Sequence, residues 1–275
     1  MKDFWRRFIR NPSTIFGAIL LTGILTLAIL APLIYPGTPF KSVGKPFLPP
    51  FGEYLFGTDL LGRDVAAGIA HGARTSILIA SIATLISVMF GTVIGAFSGF
   101  YGGWIDDVLM RMTEFFQTIP SFVFAIVLVA ILSPSIESII IAIATVTWPP
   151  VARLVRGEFM SMRNREFVQA SICLGTNDFV IIFREILPNV FSPITVTGSL
   201  MVATAILIES ALAFLGLGDQ NVMSWGFMIG AGRTYLRTAW WLCAIPGIAI
   251  LITVLSINLV GQGLNDSLNP RLRNN

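Results

Sequence analysis

Long apolar runs alternate with short polar segments along this chain, and the runs have the length of bilayer-crossing helices. They fall near 15–35, 76–100, 108–132, 136–155, 190–214 and 239–260. About 20 apolar residues cross the hydrocarbon core as a helix, so the pattern predicts an all-α polytopic membrane protein with six transmembrane helices. Lys2, Arg6, Arg7 and Arg10 precede the first run, as they would a secretory signal. From Ile15 to Tyr35, however, the run exceeds the roughly 7–15 residues of a signal core, and no clear A-x-A site follows. It is expected to be an uncleaved first span.

Polar residues inside the runs mark places where a span must meet protein rather than lipid. In the second run Gly91, Gly95 and Gly99 recur every four residues, forming a face on which a neighbouring backbone can pack closely; pore lining is the alternative. The third run opens "DDVLMRMTEFFQTIP". Arg111 and Glu114, spaced i,i+3, can pair on one face or line a polar inner mouth, and Pro120 is expected to kink the helix. Glu209 lies in the fifth run, roughly 7 Å below its outer end at 1.5 Å per residue. A carboxylate there is expected to face the bundle interior, in hydrogen-bonded packing or as a contact with substrate or gate. Arg111, Glu114 and Glu209 are thus the pathway or gate candidates.

Between the first two runs lie about 40 residues, first rich in proline (Pro36, Pro39, Pro46, Pro49, Pro50) and ending "FGTDLLGRDVAAGIAHGARTS". Thr58 or Asp59 is expected to cap a short interfacial helix, with Arg63 and Asp64 exposed and Arg74 snorkelling to the head groups. The segment could also form an outer gate or a docking surface for a delivery protein.

Basic residues set the orientation, because cytoplasmic loops carry the excess of Lys and Arg. With the N-terminus inside, Lys2, Arg6, Arg7, Arg10, Arg111, Arg153, Arg156, Arg163, Arg165, Arg184, Arg271 and Arg273 are cytoplasmic. Lys41, Lys45, Arg63, Arg74, Arg233 and Arg237 are then outside, a split of 12 to 6 that places both termini and residues 157–189 in the cytoplasm. Composition agrees with a membrane protein: 55% hydrophobic and 12% charged, against roughly 25% charged in soluble domains, with a mean hydropathy of +0.79. The net charge of +3 forms no nucleic-acid stripe. Cys173 and Cys243 fall on opposite sides and His71 is the only histidine, so neither a disulfide nor a transition-metal site is expected. "GTPFKSVGKP" has the wrong spacing for a P-loop, and Pro46 follows its lysine. Without a nucleotide loop or a serine–histidine pairing, the chain is not expected to be an enzyme.

One polar excursion interrupts this pattern, "EFVQASICLGTNDFVIIFREILPN" at 166–189. A helix over 164–174, ended by Gly175, puts Phe167, Ala170, Ser171 and Leu174 on one face. Asn177 or Asp178 can cap a second helix, closed by Pro188. A small-residue face of this kind suits insertion into a groove on another protein; the alternative is a connector folded back on its own bundle.

These residues resemble a known family. The chain looks like the permease subunit of a bacterial ATP-binding cassette importer of the dipeptide, oligopeptide and nickel class, in particular its C-type partner. That family's cytoplasmic loop carries Glu-Ala-Ala-x-x-x-Gly followed by Leu-Pro; here the positions hold Gln169, Ala170, Ser171, Gly175, Leu187 and Pro188. "RNPSTIFGAIL", "FGTDLLGRDV" with "GARTSILIA", "ESALAFLGLG" with "SWGFMI", and "PGIAILITVLSINLVGQGLNDSLNPR" resemble further family segments in order. The tail departs from the family at Gln262, Asn265 and Asn269, where Asp, Arg and Asp are frequent.

The resemblance implies a type I ABC importer transmembrane domain in the bacterial inner membrane, with Phe167, Gln169, Ala170, Ser171, Leu174 and Gly175 in a coupling helix. It implies as partners a second permease, two cytoplasmic ATPase subunits and an extracytoplasmic solute-binding protein. ATP and Mg would sit on the ATPases, with no cofactor on this chain. The expected division is 1–75 (N-terminus, first span and outer loop), 76–264 (core, with coupling loop 157–189) and 265–275 (tail). Substrates of the family include short peptides, opines, glutathione and nickel. The competing reading is a secondary transporter or channel in which Glu209 couples to protons; it predicts an inverted repeat, which the sequence does not display.

Overall fold

Pro12 at a first helical position, with Asn11 before it accepting a hydrogen bond from the Ser13 N–H (3.1 Å), starts the first helix, α1 (Pro12–Ile34). The structure, a computed structural model, describes Phe8 and residues 11–268. Lys2, Arg6, Arg7, Arg10, Asn269, Arg271 and Arg273, on which part of the topology and tail reading rests, lie outside the described residues. After α1 come α2 (Val65–Tyr101), α3 (Gly103–Thr118), α4 (Ser121–Leu132), α5 (Ile136–Arg163) and α6 (Glu166–Cys173). A continuous helical run from Asp178 to Phe214 follows, then α8 (Trp225–Gly232) and α9 (Trp241–Leu268). Within that run a short turn passes through six π-helical residues, Ile181–Ile186, into α7 (Leu187–Phe214). Five of these helices are long and apolar enough to cross a membrane, six with the broken pair α3–α4 taken as one span.

Three boundaries differ from the sequence expectation. No separate interfacial helix forms at residue 58: the helix begins at Val65, capped by Asp64, and runs 37 residues unbroken into span two. Thr58 cannot cap because it is buried in a folded loop, donating to the Lys45 carbonyl (2.6 Å) and accepting from the Leu48 N–H (2.9 Å). Asp59 instead holds the turn through the Leu61 and Arg63 N–H groups (both 2.8 Å). The flanking Arg63 and Asp64, expected to be exposed, are half-buried.

The third span breaks rather than kinks, with α3 and α4 meeting at 85°. Pro120 lacks an N–H and drives Ile119 into an extended conformation (φ −87°, ψ 128°). Nor does Pro188 close a second short helix. The Leu187 N–H reaches back five residues to the Ile182 carbonyl, and Pro188 follows in the first turn of α7, where a missing donor matters least.

The bundle is organised about α2 and α5. A Cβ added at Gly91 would stand 2.7 Å from the Trp148 carbonyl, and one at Gly99 2.6 Å from the Arg156 carbonyl. At Gly95 it would collide with the Ala152 carbonyl. Val151, Ala152, Val155 and Phe159 on the facing side of α5 are fully buried. Around this seam α7 packs on α2 and α9, and α1 on α9. Beyond the glycines a second core of Val155, Phe159, Ile181, Ile182 and Ile186 gathers at the α6 end.

Replacing Gly95 by Val would force the two backbones apart. Overpacking of this kind costs about 1–3 kcal/mol. Purified Gly95→Val protein should melt at clearly lower temperature than wild type in the same detergent, whereas Gly157→Ala, at a glycine with open space around its Cβ position, should melt as wild type does.

Candidate functional site

Helix α6 begins after Arg165, with Glu166 in its first turn, where a negative charge complements the helix dipole. It ends through a wrapped C-terminus: Leu174 N–H donates to the Ala170 carbonyl, Gly175 N–H to the Ile172 carbonyl (both 3.0 Å) and Thr176 N–H to the Ser171 carbonyl (3.1 Å). Gly175 sits at φ +74°, a region that favours glycine. The Asn177 side chain then accepts the Phe179 N–H (2.9 Å) and starts the next turn.

The faces of α6 are divided. Val168 is fully buried and joins the cluster of Phe159, Ile181, Ile182 and Ile186. Phe167 is 45% exposed, Leu174 84%, and Ala170 lies beside them in solvent. Ser171 is half-buried and donates to the Phe167 carbonyl (3.2 Å). Exposed Gln169 donates to the Arg163 carbonyl (2.8 Å), closing the corner between α5 and α6. Sequence reasoning missed Val168, whose partners Phe159, Ile181, Ile182 and Ile186 are brought to it only by the fold. It also missed Phe179 and Phe183, exposed rings stacked at 6.4 Å just after the turn.

The three pathway candidates do not converge. Glu209 is 1% exposed. Its Oε2 accepts hydrogen bonds from Ser76 on α2 (3.1 Å) and from Ser210 (3.2 Å). Ser76 Oγ in turn accepts the Trp225 N–H (3.4 Å), and the Trp225 indole donates to the Ile69 carbonyl (3.1 Å). The carboxylate is therefore a tie among α7, α2 and α8, as interior burial in a span requires.

Arg111 and Glu114, by contrast, are exposed and do not pair with each other. They line a cavity of about 360 Å³ with Asp106, Asp107, Arg153 and Arg156. The ion pair present there is one the sequence reading did not foresee, 50 residues apart. Arg156 Nε donates to Asp106 Oδ1 (2.6 Å) and its terminal nitrogen to Oδ2 (2.5 Å), a bidentate contact that Ser98 on α2 completes by donating to Asp106.

The structure is a multi-pass helical bundle with the short α6 set between two of its spans. The fold aligns with inward-facing structures of the MetNI methionine ABC transporter at a TM-score of 0.60 and 13% identity, covering 74% of this chain and 96% of the other. The chain belongs to the binding-protein-dependent transport system inner membrane components, whose family matches residues 91–274, while residues 1–50 match the N-terminal transmembrane domain of oligopeptide transport permease C. It is 38% identical to the dipeptide transport system permease protein DppC of Alkalihalophilus pseudofirmus, over 99% of this chain and 90% of the relative. DppC of Bacillus subtilis is 37% identical (99% and 86%), and the oligopeptide permease protein OppC of Haemophilus influenzae 37% (99% and 89%). The chain is thus a permease subunit of a binding-protein-dependent importer.

Glu209→Gln keeps an acceptor for both serine hydroxyls and should leave thermal stability near wild type. Glu209→Ala removes it and opens a gap, which together should cost about 2–4 kcal/mol. A melting series of the two purified variants distinguishes this tie from a group that serves only transport.

Proposed function

We propose that this permease carries short peptides and forms half of the translocation pathway, a second, different permease supplying the other half. The relatives named for dipeptides and oligopeptides support this substrate class over nickel. Two cytoplasmic ATPase subunits would bind ATP and Mg, and an extracytoplasmic binding protein would deliver the peptide. The chain would lie in a bacterial inner membrane with both termini in the cytoplasm, residues 76–264 forming the transport core.

The observation that carries this reading is α6. It is anchored by Val168, closed by Gly175 at φ +74°, and presents Phe167, Ala170 and Leu174 as exposed side chains among the described residues. A short helix with one buried anchor and one free apolar face suits a groove on a partner. We assign it as the coupling helix, seated in an ATPase subunit. Phe179 and Phe183 would extend the same contact.

Ala170→Trp would place an indole in that groove, and Gly175→Val would oppose the positive φ that ends the helix. Both positions have room within the subunit, since Ala170 is exposed and nothing lies within 4 Å of the Gly175 Cβ position. The variants should therefore accumulate in membranes like wild type while ATP-dependent peptide uptake and ATPase pull-down fall at least about tenfold, a loss near 1.4 kcal/mol in contact free energy. Normal uptake and normal ATPase capture by Ala170→Trp would remove α6 from the coupling role.

A further inference from the structure

The cavity beside the Asp106–Arg156 pair holds more charge than its structural role requires. Its six ionisable groups are three carboxylates (Asp106, Asp107, Glu114) and three guanidinium groups (Arg111, Arg153, Arg156). Asp106 and Arg156 consume each other, with Ser98 completing the carboxylate's shell. Asp107, Arg111, Glu114 and Arg153 are exposed and, among the described residues, form no ion pair within 4 Å, Asp107 acting only at longer range on Arg156. Two charges of each sign thus surround one space with no direct pair among the described residues.

From this arrangement we infer that the cavity is a binding site for a zwitterion, the free α-ammonium and α-carboxylate of a short peptide, on the α6 side of the pathway. The inference rests on the proposed peptide substrate and names the groups that would meet it. Arg111 and Arg153 offer planar donor forks to a carboxylate, while Asp107 and Glu114 offer acceptors to an ammonium. Because the six charges sum to zero, the site has no net attraction for a lone anion, such as a phospholipid head group, or for a lone cation. Only a ligand with both signs satisfies all four free groups at once. The volume of about 360 Å³ falls in the range of small-molecule sites, which begin near 300 Å³. The location is two to three helical turns before the α5–α6 corner, level with the Gly95 and Gly99 part of the glycine seam, so the site would hold peptide shortly before release.

The test uses the complete importer: both permeases, the ATPases and the binding protein. ATP-driven uptake of radiolabelled dialanine into proteoliposomes is measured first. Binding of dialanine, N-acetyl-dialanine and dialanine amide is then measured by equilibrium dialysis on the nucleotide-free membrane complex without binding protein. Wild type should bind dialanine, and blocking either terminus should weaken binding about tenfold, the scale of one charge-assisted contact. In Arg153→Gln the penalty for amidating the carboxylate should shrink, because one of its two guanidinium partners is gone, while that for acetylating the amine remains; in Glu114→Gln the pattern should invert. A structural role alone would not move these penalties selectively. Arg111→Gln and Asp107→Asn form a second pair expected to behave alike. If wild type imports dialanine but both penalties persist in all four variants, the site assignment fails and the peptide reading stands. Absence of dialanine uptake, with another solute imported instead, overturns the peptide reading itself. Displacement of dialanine by phosphatidylglycerol micelles, lost in the arginine variants alone, would identify a lipid site and also overturn the assignment.

Discussion

Backbone-to-backbone approach of α2 and α5 is the constraint on which the rest of the molecule depends. In a bilayer, helices gain little hydrophobic free energy by meeting each other, so packing and close approach must hold them. Gly91, Gly95 and Gly99 leave no side chain between α2 and the carbonyls of Trp148, Ala152 and Arg156. That seam fixes the last turns of α5. Phe159 is buried against it, and the corner that sets α6 follows one turn later, held by Gln169 on the Arg163 carbonyl. The position of the exposed α6 face is therefore inherited from three glycines buried in the span.

Polar groups then act as point fastenings at places the seam does not reach. Ser87 on α2 donates to the Ala144 carbonyl (3.2 Å) and shares a hydrogen bond with Thr147 (2.6 Å), just before Pro149 and Pro150 remove two backbone donors from α5. Glu209 fastens α7 to α2 and, through Ser76, to α8. Asp106 and Arg156 join α3 to α5, with Ser98 adding α2. Inside hydrocarbon an unsatisfied polar group costs several kcal/mol, and each of these fastenings satisfies its groups while joining two helices, although the buried Thr84 and Thr92 hydroxyls of α2 have no partner among the described residues. The charges around the Asp106–Arg156 pair are exposed and escape this cost.

The spans were legible because apolar length is set by bilayer thickness, a constraint that acts on sequence directly. Gly175 was legible too, since a helix end that wraps back on itself needs a residue tolerant of positive φ. What the sequence concealed depends on contacts distant along the chain. Thr58 resembles a cap, yet its hydroxyl is committed to Lys45 and Leu48 in the outer loop, leaving Asp64 to start the helix. Pro188 resembles a stop, yet the π turn before it carries the helix through. Arg111 and Glu114 have the spacing of a pair, yet the arginine that finds a carboxylate is Arg156, whose partner lies a helix away. Val168 looked like one more apolar residue on a short helix until its neighbours from 181–186 were placed around it.

The same anchor bears on how a movement of α6 would spread. Val168 shares its cluster with Phe159 of α5 and with Ile181, Ile182 and Ile186 of the π segment, so α6 grips two spans at once. The run from Asp178 to Phe214 is helical without interruption, and Glu209 lies about 46 Å from its start at 1.5 Å per residue. A push on α6 from a partner would therefore be delivered along a stiff rod to the Ser76–Glu209–Trp225 tie at the opposite end, rather than dissipated in a loop. Packed helices move as bodies more readily than they bend, and the 85° turn between α3 and α4 lies off this rod, about one helical turn beyond Glu114 of the charged cavity. The geometry thus separates the element that would transmit motion from the break in the third span; Asp107, Arg111 and Glu114 sit on the helix leading into that break, and Arg153 faces their cavity from α5.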